Sequence, residues 1–301
     1  MSTLKLKKVK LKGNESFNIR EGWLRKGMRC VEESPDLFSR DDVMERLGVG
    51  SKMVKSIRYW LQATNLCEEK YVNSGRARAQ VITDFGRVVE KYDRYFDDIF
   101  TLSLIHYHIV SNETMCAVWN IFFNSFEAEE FTRENVVDMC RAELSKRMDE
   151  GASFSDSLFI DDCISVLKMY TDKVSSEDPE ESLGSPFADL GLVKKASTKN
   201  TYRKSPPPRA CLDKMAVLYV MMSNLREQKR SVSINELLTG ENNVGRVFNL
   251  NRVLINEYLD QLRAAGYIDI NRTAGLDMVY IREAFTPKDA MEAYYKEAEV
   301  R

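Results

Sequence analysis

Histidine is nearly absent from this 301-residue chain: only His106 and His108 occur. They stand two apart in an apolar stretch, residues 102–110, that reads as a buried helix, where residues two apart point about 200° from one another. Two such rings cannot chelate one metal together. Nothing adjoins them to build a Cys–His or Ser–His–Asp nucleophile, so both are expected as partly buried helix histidines bonded to neighbours. The six cysteines (Cys30, Cys67, Cys116, Cys140, Cys163 and Cys211) are widely scattered, and even the nearest two, Cys140 and Cys163, stand far apart in sequence. That spacing excludes a Cys-x-x-Cys pair for zinc or redox work, and most lie among apolar neighbours, where cysteine behaves as a small hydrophobe. No apolar run approaches the ~18 residues of a membrane span. The first fifteen residues alternate Lys with Leu and Val, unlike a signal peptide, so a cytoplasmic chain with reduced thiols and no membrane association is expected. A phosphate-binding G-x-x-x-x-G-K-S/T loop is missing as well; Gly48-x-Gly50 lacks a third glycine. Finally there is little net charge, 44 Lys and Arg against 46 Asp and Glu. Taken as a sum, that argues against nucleic acid, but a sum hides its distribution.

What is present is ample material for packed cores, 44% apolar and 10% aromatic residues over a length that suits two domains. Five lysines stud residues 4–12 with no acidic partner, the pattern of a short edge strand or arm. A helix over about 19–31 follows, ended by Ser34-Pro35-Asp36. Ser39 then stands as an N-cap, with Asp41 and Asp42 in a first turn and Val43, Met44 and Leu47 facing inward. Gly48-Val49-Gly50 makes a sharp turn, and Ser51 caps a second helix to about Asn65 that buries Val54, Ile57, Trp60 and Leu61. Strands at 66–72 and 79–82, joined by a turn at 73–75, complete a winged helix-turn-helix. Residues 96–174 read as a helical region. Residues 175–209, acidic and then basic and ending in three prolines, read as a linker with at most short structure. From 210 the pattern returns: an apolar helix to 224, a short strand at 231–234, a short helix, and a longer one opened by Asn249 or Asn251. Strands at 267–270 and 278–281 around a turn at 273–275 follow, with an amphipathic helix at 287–300 behind them. The expected fold is therefore mainly α with small β-wings. An N-terminal winged helix with a basic arm (1–95) and a C-terminal winged helix (210–301) flank the helical region and linker.

The charge separates along this plan. From Arg46 to Thr83 there are seven cations against Glu68 and Glu69, a net of +5. On the second helix Ser51, Lys55, Arg58 and Gln62 recur at i, i+4, i+7 and i+11, with Lys52 and Tyr59 beside them and Arg76 and Arg78 on the wing. This is where a recognition helix keeps its groove-reading side chains: Lys and Arg suit phosphates and guanine edges, and Gln62 suits adenine. A basic face can also be merely solvated, and winged helices also bind proteins. The C-terminal module sets Arg252, Arg263 and Arg272 against Glu257, Asp260, Asp269 and Asp277, which points to dimerisation or partner docking. Residues 149–190 carry a net −9 and residues 194–209 a net +6, so an acidic block conceals the basic ones in the whole-chain sum.

Metal-dependent nucleases need carboxylates converging on one or two ions, with magnesium or manganese the expected metal. Asp97-Asp98 and Asp161-Asp162 are the candidate pairs. Both stand where a helix cap or first-turn acid is expected, so structural use is the reading for each, and spacing alone shows no catalytic site.

Several stretches resemble a bacterial family long labelled a domain of unknown function, whose characterised members are the SspB-like proteins of single-strand DNA phosphorothioation defence. They are residues 13–17 (Gly-Asn-Glu-Ser-Phe), then Arg20-x-Gly22-Trp23-Leu24-x-Lys26, and most specifically residues 38–42 leading to Leu47-Gly48-Val49-Gly50-x-x-Met53-Val54-x-Ser56-Ile57-Arg58-Tyr59-Trp60. Ile82-Thr83-x-x-Gly86, Thr101-Leu102-x-Leu104-Ile105-His106-Tyr107, Trp119-x-x-Phe122-Phe123-Asn124 and residues 131–134 (Phe-Thr-Arg-Glu) extend the likeness to about residue 145. The resemblance implies a DNA-acting component of a phosphorothioate-modification system, with a DNA-nicking activity. It also implies cysteine desulfurase, ATPase and sulfotransfer partners. It carries over Lys52, Lys55, Arg58 and Tyr59 as DNA-binding positions; where the first motif commonly has a histidine, this chain has Asn14. The rival expectations are a non-enzymatic winged-helix transcription regulator, and a protein-interaction scaffold whose basic face is idle.

Overall fold

The computed structural model describes residues 6, 9–72, 77–173, 184–225, 230–273, 276–282 and 285–299. The chain is mainly helical with three small antiparallel sheets. Helix α1 (Trp23–Glu33) buries Trp23, Leu24, Met28 and Val31. A 3-10 turn (Leu37–Ser39) leads to the short α2 (Val43–Leu47) and then to α3 (Ser51–Ala63). Ser39 falls inside that turn and caps no helix, and Ser51 is the first residue of α3 behind Gly50. Strands β1 (Cys67–Val72) and β2 (Ala77–Ile82) form a two-stranded ribbon pairing Cys67 with Ile82 and Val72 with Ala77; its expected turn at 73–75 lies outside the described residues. Thr83 caps α4 (Asp84–Tyr92) by accepting from the Gly86 N–H.

The middle is built from α5 (Ile99–Val110), α6 (Ala117–Asn124), α7 (Arg133–Arg147) and α8 (Asp156–Thr171). Asp98 caps α5, and a reciprocal Thr132–Asn135 pair caps α7. The last part has α9 (Lys214–Ser223), β6 (Ser231–Ser233), α10 (Ile234–Thr239), α11 (Val244–Val247), α12 (Arg252–Ala264), β7 (Ile268–Thr273), β8 (Leu276–Ile281) and α13 (Pro287–Glu299). Its sheet runs β6-β8-β7.

Two features bear on how the chain divides. The stretch read as a linker carries short elements from residue 184 onward. A 3-10 turn (Pro186–Leu190) buries Phe187 and Leu190, and β4 (Val193–Lys195) and β5 (Thr201–Lys204) join β3 (Glu130–Thr132) in a sheet of order β3-β5-β4. The dense cations masked an apolar set, Leu192 and Val193 included, that is fully inside. Lys204 shows how a cation can belong there. Its ammonium donates to the carbonyls of Phe122 (2.5 Å) and Phe126 (2.7 Å), ending α6, while it lies over the Phe122 ring. Burial pulls its pKa down to about 7.

The second is that one continuous core runs through all parts. Helix α13 stacks Tyr294 on Phe100 (3.8 Å between centroids) and Tyr295 on Tyr92 (5.2 Å). The Asn242 N–H donates to Asn124 Oδ1 at 2.7 Å, fixing the C-terminal unit to α6.

Lys204→Met keeps the aliphatic stem but strips the donor from the Phe122 carbonyl of α6 and the Phe126 carbonyl just beyond it. A loss of about 2 kcal/mol in urea unfolding is expected, the cost of leaving buried acceptors unpaired.

Candidate nucleic-acid interface

The basic helix begins in a glycine turn. Gly48 takes φ 60°, the left-handed conformation that ends α2, and Gly50 is extended before α3 starts. The inner side of α3 buries Val54, Ile57, Trp60 and Leu61, as the pattern requires. Trp60 also donates its indole N–H to the Phe17 carbonyl at 2.9 Å. With that side fixed, Ser51, Lys52 and Lys55 are exposed, and Arg58 and Gln62 are half-buried further along the same outward stripe. Lys55 has one loose carboxylate neighbour, Glu15 at 4.0 Å.

The ribbon adds Arg78, whose side chain is about half exposed and whose guanidinium lies over the exposed Tyr71 ring, 5.3 Å from its centroid. Arg76 lies outside the described residues. Glu69 on β1 joins helix and ribbon: it accepts from Arg58, from Arg78 at 3.3 Å and from the Gln80 amide at 3.1 Å. Sequence reading counted Glu69 only as an opposing charge. The alternation of Glu69 with Tyr71 across from Arg78 and Gln80 was the available signal, because such positions share one face of a ribbon.

Tyr59 does not belong to the exposed stripe. It is buried, donates to the Met115 carbonyl at 2.6 Å and lies 3.3 Å from Cys116 Sγ. The N-terminal arm covers it. Gly13 rests on the ring so closely that a Cβ there would stand 2.4 Å from a ring carbon, and Lys10 sits over the face at 5.3 Å. Burial, then the nearby Arg58, draws the Lys10 pKa down. The arm is anchored along the middle of the protein: Leu6 bridges to Met148, and the Lys10 N–H donates to Thr114 O at 3.1 Å. No local periodicity could reveal this cover, since its contacts are distant in sequence.

The same arm accounts for the second carboxylate pair. Helix α8 begins at Asp156, so Asp161 and Asp162 stand in its second turn and not at its cap. Lys12 holds both, its ammonium 2.7 Å from Asp161 and its backbone N–H 3.0 Å from Asp162. Burial raises the Asp162 pKa to about 7, against the lowering effect of the Lys12 N–H. Asn14 is buried too; it donates to Ser165 Oγ at 3.3 Å and accepts from the Ser16 N–H at 3.1 Å. It pins a turn in which Lys12, Glu15 and Ser16 all have positive φ.

Asp98 caps α5 and accepts from Tyr294 at 3.0 Å. His106 and His108 are spent on internal bonds, to Tyr170 and Val247 O and to Tyr219. Burial pushes their pKa values down to about 4 and about 3. Among the described residues, no three of His, Cys, Asp and Glu converge as a metal site would require.

Tyr59→Phe separates the buried role from a DNA role. It should cost about 1–2 kcal/mol in thermal or urea unfolding, from the lost hydroxyl bond, and leave duplex-DNA affinity unchanged in a titration.

No curated protein matches the chain. Among solved structures, two described as "Magnesium ion-bound SspB crystal structure" and "SspB crystal structure" superpose on it with a TM-score of 0.84 at 22% identity. Each comparison covers 97% of this chain and 89% of the other. The SspB fold thus extends over nearly the whole chain, beyond the motifs that carried the resemblance. A family model described as "Protein of unknown function (DUF4007)" matches residues 11–295, and the chain belongs to that family.

Proposed function

We propose that this chain is the DNA-binding component of a bacterial phosphorothioate-modification system, and that it engages duplex DNA through the unit formed by α2, α3 and the β1-β2 ribbon. In this reading the unit is a winged helix-turn-helix: α3 enters the major groove and the ribbon lies along the backbone. The observation that carries it is the contrast between two units of like layout. In the first, Lys52 and Lys55 project outward with at most the distant Glu15 beside them. In the second, the cations are neutralised internally, Arg252 by Asp277 (2.7 Å), Arg272 and Arg263 by Asp260, and Arg209 by Glu257 (2.8 Å). Charge left unpaired on a helix is what releases counterions from DNA, and paired charge does so weakly.

The second unit is proposed as a docking module, for a second copy or for the desulfurase, ATPase and sulfotransfer proteins that the family resemblance implies. Its exposed Val253 and Tyr280 and its neutral face suit that use. A magnesium ion accompanies one of the SspB structures. The described residues of this chain do not fit such an ion, since Asp161 and Asp162 are held by Lys12 and Asp98 by α5 and Tyr294.

Lys52→Glu with Lys55→Glu should weaken duplex binding severalfold or more and flatten the salt slope by about two, at roughly 0.9 per lost phosphate contact. Unchanged affinity in fluorescence anisotropy would leave the scaffold reading in its place. Incubation with supercoiled plasmid and Mg²⁺ or Mn²⁺ adds the nicking test: open-circular product extends the role to a nickase, and intact plasmid confines it to binding.

A further inference from the structure

Glu69 occupies the centre of the proposed DNA face, with a side chain 20% exposed. The ribbon register sets Glu69 opposite Gln80 and Tyr71 opposite Arg78, so all four side chains lie on one face of β1-β2. Arg58 reaches that face from α3. One carboxylate oxygen accepts from Arg58 and from Gln80, and the other accepts from Arg78. Gln80 is itself buried, and its backbone N–H donates to Pro35 O at 2.8 Å, so the anchoring side of this cluster does not move with solvent. Two guanidinium groups from two elements therefore converge on one two-oxygen anion. A DNA phosphodiester offers similar chemistry: two oxygens sharing one negative charge that accept from the Arg N–H fork.

We propose that Glu69 holds, in the free protein, the place that a backbone phosphate takes at Arg58 and Arg78, so that DNA binding exchanges this carboxylate for phosphate. The inference rests on the DNA reading above. It assigns Glu69 two effects. The first is to keep both arginines gathered toward the helix–ribbon junction before DNA arrives. The second is to oppose any phosphate there, so that DNA must gain contacts elsewhere, at Lys52 and Lys55, before the exchange is favourable. Partly exposed ion pairs are weak enough to be broken in this way.

Glu69→Gln keeps the size and an acceptor oxygen for Gln80 but removes the charge. It should tighten duplex binding about three- to tenfold, the fold-change equivalent to releasing two such pairs. The dependence of log K on log salt should steepen by one to two. Glu69→Ala, which leaves no acceptor, should act in the same direction, and Arg58→Gln added to Glu69→Gln should return the slope by about one. Unchanged or weaker binding by both Glu69 variants would overturn the proposal. Lys52→Glu with Lys55→Glu, run alongside, separates the two failures. If that pair weakens binding while the Glu69 variants do not tighten it, only the exchange falls; if that pair has no effect, the DNA reading falls first.

Discussion

Helix α5 has almost no side to give to water, and the rest of the molecule is arranged to complete it. Phe100, Leu104, Ile105, Ile109 and Val110 are buried around its circumference, and so are Thr101, Ser103 and His106. An apolar helix can be covered by any apolar surface, but a buried polar group must find its particular partner or lose about 1–3 kcal/mol. Those partners come from distant parts of the chain. Thr101 meets the hydroxyl of Tyr295 on α13 at 2.6 Å, and Ser103 reaches Cys211 O at 3.3 Å. His106 joins Tyr170 of α8 to Val247 O of α11. Each bond sets the position of one element against α5, so the polar groups on this helix specify an arrangement that hydrophobic burial alone would leave loose.

That dependence explains why the N-terminal and C-terminal units, similar in layout, are not independent domains. Helix α13, which closes the C-terminal unit, spends its aromatic residues on Tyr92 and Phe100, outside that unit. The N-terminal arm similarly leaves its own unit to lie on α8 and against Met148. Binding at either end would therefore meet a rigid frame, with the basic stripe of α3 held through Trp60 and Tyr59 to the same core.

The elements legible in the sequence were those whose cause is local. The apolar spacing of Val54, Ile57, Trp60 and Leu61, the turn glycines 48 and 50, and the opening of α12 at Asn251 are each settled within a few residues. The outward stripe from Ser51 to Gln62 followed from the same periodicity. What was not legible was set at long range. Tyr59 stands next to Arg58, on the border between inner and outer sides, and its burial is decided by the N-terminal arm, which rests Gly13 on its ring. The strands at 193–195 and 201–204 were hidden because their charge reads as solvated, while their partner, β3, lies far back in the chain beyond α7 and α8. Lys204 in particular looks like a linker lysine until α6 is seen to end beneath it.

A likeness of fold at 22% identity says little about chemistry, and function has to be argued from the side chains on the frame. Here the two units make that argument unusually direct, because layout is nearly held constant while charge is not. In the C-terminal unit Asp277 and Asp260 answer the arginines of helix and ribbon, and the surface is neutral at close range. In the first unit Glu69 answers Arg58 and Arg78, Glu68 answers Lys70 and Asp42 answers Arg46, while the lysines at the start of α3 are left unanswered at close range. A surface selected only for solubility would gain nothing from pairing the cations at one place and leaving them open a turn away. A surface meant to meet a polyanion would: open lysines draw it in from a distance, within the ~10 Å over which charge acts at moderate salt, and paired arginines respond only once it is close. The distribution of paired and unpaired cations on α3, more than their number, is what supports the proposal of a polyanion partner for this face.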